Sequence, residues 1–398
     1  MGLPIRIRNK ATDAMRAKGI REGNPQTDDD AINMAIKMGD AKGRDAEVLT
    51  ALLELKSIKT RSSLYWEAYP KFLHWTDNLL HPEVRQCSTN TRRHTSANPN
   101  IQQQDSTQGG VRSVMKPHRR DAVFVSLDLA GQEIRLLGDY SRDENIMSAY
   151  IGDPPRDLHS FTAAMILGLS YEEFRARFES KDEAVAAEAN LARQRGKTVF
   201  FASSYGAMAP KIALGLGISE ELAQTYLDAL DKAFPRVVPW KEETEAFVST
   251  HGWVPVLGGT RRHLRELILS DDKWTASKAL RQASNARIQG AGGNQIRTIM
   301  GRVWDSDLFE RYDMRFYWPV HDELCFSVRR DHAVPVIQSL HKMMCEKFLD
   351  VLPSASSIGI GRTYGELIEI GEVADADLIE GAVRKAFGEV ETAESILV

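Results

Sequence analysis

At 398 residues, with 42% hydrophobic and 27% charged residues and a formal net charge of -4, the chain exceeds the usual single-domain size. It lacks the long uncharged apolar run that a membrane span needs, and its basic start, MGLPIRIRNKATDAMRAKG, has no apolar core and so is not a secretory signal. Cys87, Cys325 and Cys345 lie far apart with no CxxC spacing, which excludes a zinc finger and stable disulfides and leads us to expect a soluble protein of a reducing compartment, the cytoplasm.

Along the chain, residues 1–25 carry little apolar periodicity and read as a leader ending at the acid run REGNPQTDDD, where a helix starts. From about Asp45 to Leu80 the pattern is helical, with Val48, Leu52, Leu55 and Ile58 on one face. The polar, proline-spotted stretch TNTRRHTSANPNIQQQDSTQGG reads as loop. In DAVFVSLDLA, β-branched and aromatic residues run into an acid, predicting a strand that ends at Asp128; GQEIRLLGDYS returns to helical spacing. From Leu158 to about Arg297 nearly everything is helix-like, except GWVPVLGGTRRHL, which predicts a short hairpin. A further helix after Arg297, the strand-turn-strand MRFYWPVHDELCFSV, a helix over His332 to Leu349 and the strand SIGIGRTYG complete the chain. A small sheet interrupted by a large helical insertion is α+β in class.

Charge is segregated. Between Arg85 and Arg120 the basic residues Arg85, Arg92, Arg93, Arg112, Lys116, Arg119 and Arg120 face one acid, Asp105, whereas the stretch from Glu366 to Glu394 is acidic. Such a basic segment can track phosphates, or can be a solvated arginine-rich loop. In RQRGKTVFFASSYG, Arg193, Lys197, Phe201 and Tyr205 recur every four residues, a stripe roughly 18 Å long on a helix. Two cations and two rings suit a ligand with phosphates at one end and flat rings at the other, or a core pair with snorkelling cations. The stretch PVHDELCFSV sets His321, Asp322 and Glu323 among apolar residues, as a turn held in water or around a metal ion would require. Asp128 alone reads as a turn or cap residue, but together with Asp322 at a second strand end it offers two carboxylates for a pair of hard cations about 4 Å apart, the arrangement that in-line phosphoryl transfer uses.

These residues together resemble the polymerase region of family A DNA polymerases, those similar to bacterial DNA polymerase I. The resemblance rests on DLAGQEIR (Asp128, Glu133, Arg135), on Arg193, Lys197, Phe201, Tyr205 and Gly206, on His321-Asp322-Glu323, and on TRRHTSANPNIQ, DLHSFTA and RQASNARIQG, in the family's order. It implies a right-hand fold with a small antiparallel palm sheet, a large helical fingers insertion and a reduced helical thumb: leader 1–25, partial thumb 26–80, palm 81–145 and 281–398, fingers 146–280. It implies two Mg2+ ions held by Asp128 and Asp322, with Glu323 as a supporting catalytic carboxylate. The incoming dNTP would meet Arg193, Lys197 and His159 at its triphosphate, Phe201 at its sugar and base, and Glu133 as a steric gate against a ribose 2'-hydroxyl, with Tyr205 where the template base arrives. Arg93, Asn100, Gln102, Arg281, Asn285, Gln289 and His321 would touch primer-template DNA, largely along the minor groove.

Arg92 stands where the family usually has Gly, Phe200 and Ala202 where Asn and Gly are common, and Gln132 and Pro319 replace an apolar residue and a Gln or Trp. Only some eighty residues precede the palm, so the resemblance leads us to expect no intrinsic 3'-5' exonuclease and a separate exonuclease polypeptide as partner, as in a split viral replication gene. The competing readings are a single-subunit RNA polymerase, disfavoured by Glu133 and Phe201, and a non-catalytic DNA-binding remnant, disfavoured by the retention of two mutually repelling acids.

Overall fold

The computed structural model describes residues 5, 8–10, 12, 15–16, 18, 22–105, 110–153, 156–204 and 206–389. The chain folds as two compact units, Met1–Pro70 with Asp157–Ala233, and Lys71–Arg156 with Phe234–Val398. These boundaries differ from those expected for thumb and fingers. Residues 71–80, 146–156 and 234–280 fold with the sheet, and the helix Val237–His251 packs on the long helix Lys273–Trp304 and on the helix Gln132–Ser141. Among the described residues no helix is long and apolar enough to cross a membrane.

In the first unit β1 (Arg8–Lys10) pairs antiparallel with β2 (Glu22–Pro25). The acid run does start a helix, Asp29–Lys37, which Asp28 caps by accepting from the Ala31 N–H at 2.8 Å. The next helix, Arg44–Arg61, corrects the expected apolar face in part: Leu49 is fully buried against Ile32 and Leu52 is half-buried against the same cluster, whereas Val48, Leu55 and Ile58 are 40%, 62% and 50% exposed. This helix has apolar residues on two sides, and the nine-residue helix before it packs against only one. Helical structure gives way after Arg61 to a π-turn (Ser62–Trp66) and a 3-10 turn (Tyr69–Phe72), so the pattern does not run unbroken to Leu80. The helices Leu158–Leu167, Tyr171–Phe178, Glu183–Ser204, Ala209–Leu216 and Glu220–Ala233 complete the unit. Gly196 lets two of them approach, since a Cβ there would lie 3.1 Å from the Ala163 backbone nitrogen.

The second unit is built on a five-stranded antiparallel sheet, in the order β11 (Leu367–Glu369), β10 (Ser356–Gly361), β5 (Ala122–Leu129), β9 (Glu323–Arg329), β8 (Arg315–Val320). Alternation along β5 and β9 sends Val123, Val125, Leu127, Leu324, Phe326 and Val328 to one face, where they are buried with the helices Ala333–Cys345 and Ala376–Ala386 and with Ile296, Ile299 and Val303. Each such side chain contributes about 1.5–3 kcal/mol of transfer free energy, which fixes the register. The opposite face receives Phe124, Ser126, Asp128, Glu323, Cys325 and Ser327. Small hairpins are formed by β3 (Glu83–Arg85) with β4 (Thr95–Ala97), and by β6 (Trp253–Val256) with β7 (Thr260–His263), the latter where the sequence predicts it.

The expected helix break near Arg297 is absent, and Lys273–Trp304 is one helix. Its mid-helix glycines are contact points instead. A Cβ at Gly293 would fall 2.9 Å from the Arg92 carbonyl, so the loop carrying Arg92 and Arg93 lies directly on the helix surface.

Candidate functional site

The register of β5 and β9 sets Asp128 opposite Glu323, and the Leu129 N–H donates to the Asp322 carbonyl at 3.1 Å. Asp128, near the end of β5, and Asp322, in the turn that leads into the neighbouring β9, therefore lie at the same end of the sheet. The connection between β8 and β9 is only His321 and Asp322, and His321 takes the left-handed conformation at φ +56, a strained choice for a residue with a side chain. Burial pushes the Asp128 carboxyl up to about 8, helped by the charges of Asp322, Glu323 and Glu369. Asp322 is also raised by burial, against the pull of Arg93. Half-buried oxygen donors that resist ionising beside one another fit a hard divalent cation, which would supply the missing positive charge.

Glu323 is placed differently from its two neighbours. Its Oε2 accepts from the Tyr364 hydroxyl at 2.8 Å, and its Oε1 accepts from the Ser126 hydroxyl. Tyr364 is buried, stacked on Phe124 with ring centroids 5.1 Å apart and covered by the Arg112 guanidinium 4.5 Å from its centroid. Both carboxylate oxygens of Glu323 are thus committed to the sheet. Glu369, on the edge strand, supplies a fourth acid whose carboxyl is raised by burial and by Glu323.

Glu133 begins the helix Gln132–Ser141 and is bound by Arg93, whose Nη2 lies 2.5 Å from its Oε1. Burial outweighs that ion pair and leaves the Glu133 carboxyl raised. Gln132, in a place usually apolar in the resembled family, is buried and satisfied. It donates to the Gly292 carbonyl at 3.2 Å and to Gln295 at 3.1 Å, and Gln295 in turn donates to Ser354 at 3.0 Å. Arg281, Asn285 and Gln289 follow one face of the long helix, exposed at Arg281 and half-buried at the other two. Arg281 donates to Ser277 at 2.6 Å, and the buried Asn285 Oδ1 has no hydrogen-bond partner among the described residues. Asn100 accepts from the Gln102 N–H at 3.0 Å, capping a short 3-10 turn, and the Gln102 side chain donates to the Pro319 carbonyl at 2.9 Å.

In the first unit, Arg193, Lys197 and Phe201 share one face of the helix Glu183–Ser204, and none is buried. Tyr205 lies outside the described residues. Arg193 grips Asp157 with two bonds, Nε to Oδ2 at 2.7 Å and Nη2 to Oδ1 at 3.1 Å, while Asp157 caps the helix Leu158–Leu167. Burial alone would raise the Asp157 carboxyl, but hydrogen bonds from Arg193 and Ser160 hold it at about 2. His159 lies 5.9 Å, centroid to centroid, from Phe201. Its imidazole is pushed down to about 4 by burial and by the charges of Lys197 and Arg193, against the pull of Asp157. Lys197 is exposed.

The sequence reading missed Ser126, Tyr364 and Glu369, and did not pair Asp157 with Arg193. Ser126 carried a signal, lying two residues before Asp128 and so on its face; Tyr364 and Glu369 carried none, being brought in by the edge of the sheet.

A family model for DNA polymerase family A matches residues 8–366. DNA polymerase I of Synechocystis sp. is 28% identical over 318 residues, 74% of this chain and 30% of that protein. The thermostable DNA polymerase I of Thermus aquaticus is 26% identical over 324 residues, 80% of this chain and 36% of that protein. The chain thus spans about a third of the length of these relatives. Among solved structures, the POL domain of Pol1 from M. smegmatis, in complex with DNA primer-template and dNTP, matches with a TM-score of 0.74 and 23% identity, over 90% of this chain and 58% of that one. That likeness is one of fold, and it places the α+β architecture among polymerase domains.

Proposed function

Because the chain belongs to DNA polymerase family A, we propose that it extends a primer 3'-hydroxyl with deoxynucleotides copied from a template strand. The observation that carries this reading is the placement of Asp128, near the end of β5, and Asp322, in the turn into the neighbouring β9, at the same end of the sheet. Asp128 and Asp322 would hold two Mg2+ ions, which activate the attacking hydroxyl and steady the leaving oxygen when bound. Asp128 gives up its proton to take part, and Asp322 is fixed by its place in a two-residue turn. Glu323 stays on the sheet under Tyr364 and Ser126 and contributes negative field. Glu133, anchored by Arg93, fills space beside the nucleotide sugar and favours a deoxyribose.

In the first unit the exposed Lys197 is the cation most available to a triphosphate. Arg193 reaches phosphate by sharing or leaving Asp157, and neutral His159 serves as an uncharged donor. Arg93, Arg281, Asn285 and Gln289 supply groups for the DNA minor groove, where acceptors depend little on sequence.

Primer extension with Mg2+ on the purified protein tests the reading: wild type extends, and Asp128→Asn binds primer-template without extending it. Extension by both proteins at equal rates overturns it. Ribonucleotides in place of deoxynucleotides separate it from RNA synthesis, and omission of nucleotides reads 3'-5' degradation, of which none is expected from the described residues.

A further inference from the structure

Ahead of β3 in the chain, the segment HWTDNLLH forms a closed turn. Leu73 bridges Leu80, the His74 N–H donates to the Leu79 carbonyl at 2.9 Å, and the Asn78 N–H donates back to the His74 carbonyl at 2.9 Å. Asn78 turns the chain in the left-handed region, at φ +55, and the Leu79 N–H donates to Asp77 Oδ1 at 2.9 Å. The backbone of this turn, rather than side-chain chance, brings His74, Asp77 and His81 to one point. One ligand atom from each lies within 4.8 Å of the other two.

We propose that His74, Asp77 and His81 form a binding site for a divalent transition-metal ion of the zinc class, separate from the carboxylate pair on the sheet. The carboxylate lies between the rings: His81 Nε2 is 2.8 Å from Asp77 Oδ2, and His74 Nδ1 is 3.9 Å from Asp77 Oδ1. Metal-to-donor bonds of about 2.0–2.2 Å in a tetrahedron put donors about 3.3 Å apart, and these two separations bracket that spacing. The imidazole rings stand 5.3 Å apart at 74°, edge to face.

Two imidazoles with one carboxylate select zinc, copper or nickel over magnesium, which prefers all-oxygen sites. Three protein ligands leave a fourth position for water, and the partial exposure of all three side chains gives the ion an entry path. Thr76, whose hydroxyl lies 2.7 Å from His74 Nδ1, would yield that nitrogen to the ion. Bound there, the ion pins residues 73–81 just ahead of β3.

Calorimetric titration of Zn2+ into the full chain, in buffer with saturating Mg2+ to fill the sheet carboxylates, reads the site. Wild type is expected to bind one tight equivalent that His74→Gln/His81→Gln loses, and Asp77→Asn is expected to weaken it at least tenfold. Thermal unfolding completes the test: Zn2+ should raise the midpoint of wild type and not of the double variant, whose midpoint without zinc should equal that of wild type. Identical zinc isotherms for wild type and the double variant, or no zinc binding by wild type, overturn the proposal.

Discussion

The hydroxyl of Tyr364 donates a 2.8 Å hydrogen bond to Oε2 of Glu323, 41 positions away along the chain, and so removes one carboxylate oxygen from the acidic cluster. Ser126 takes the other. Glu323 is therefore a positioned charge rather than an open ligand. Tyr364→Phe leaves Oε2 half-buried and unpaired, which costs about 1–2 kcal/mol of stability, read by urea unfolding. Extension by this variant should slow about tenfold in kcat, with primer-template affinity unchanged, because Glu323 gains freedom to compete with Asp128 and Asp322. A loss confined to DNA affinity would show that Tyr364 acts elsewhere.

Asp128→Asn makes a separate prediction about metal. In metal-free wild type, burial and the charges of Asp322, Glu323 and Glu369 raise the Asp128 carboxyl to about 8, so folding at neutral pH has to protonate a group that is ionised in the unfolded chain. Neutralising that group should abolish extension, yet raise the thermal midpoint of the metal-free protein by several degrees, as a gain of about 1–2 kcal/mol does for a domain of this kind. Added Mg2+ should stabilise wild type and leave the variant nearly unmoved. Equal Mg2+ stabilisation of both proteins would place the ions elsewhere.

The parts of this site that the sequence disclosed are those made by neighbours in the chain. Asp128 lies one residue before the end of an apolar strand, His321-Asp322 occupies a two-residue turn between β8 and β9, and Asp28 precedes an acid-rich first turn of helix; each is set by local periodicity or capping chemistry. What stayed hidden depends on partners far along the chain. Nothing around Tyr364 marks it as a hydrogen-bond donor to Glu323, and Gly292 and Gly293 read as helix weakeners until Gln132 and the Arg92 carbonyl are seen pressed against them. Likewise Val48 and Leu49 are equally apolar, and only the placement of the helix Asp29–Lys37 decides that Leu49 is inside.

Glu133 and Arg93 form an ion pair that ties the first turn of a helix to the loop at Arg93. Glu133→Ala removes the side chain proposed to crowd a 2'-hydroxyl and leaves Arg93 without its partner. Ribonucleotide incorporation should rise about a hundredfold relative to deoxynucleotides, equivalent to about 2.7 kcal/mol of lost discrimination. Arg93→Ala should have a weaker effect in the same direction, since Glu133 remains but is no longer held. Competition between the two nucleotide types in one reaction measures both, and unchanged ratios in Glu133→Ala would remove the gate assignment.

The first unit carries a pH dependence whose sign is fixed by His159 and Asp157. Burial, with Lys197 and Arg193, brings His159 from an ordinary 6.5 to about 4. On acidification the unfolded chain takes up a proton near 6.5 while the folded chain refuses it until about 4. The unfolded state binds more protons throughout that window, so stability falls as the pH drops across it. Asp157 acts lower on the same scale: its carboxyl, held at about 2 rather than 3.8, adds stability that is present above the ordinary value and is lost as the pH falls through about 2. His159→Gln should flatten the decline between pH 6.5 and 4 and leave the later one intact, whereas Asp157→Asn should remove the later one, free the Arg193 guanidinium and, by taking away the acid's pull on the ring, deepen the His159 decline. Proton NMR of the His159 ring in wild type tests the premise directly, and a midpoint near 6.5 would remove it. If the premise holds, the ring is uncharged at neutral pH, and Lys197 and Arg193 together bring the positive charge that a triphosphate meets on this helix.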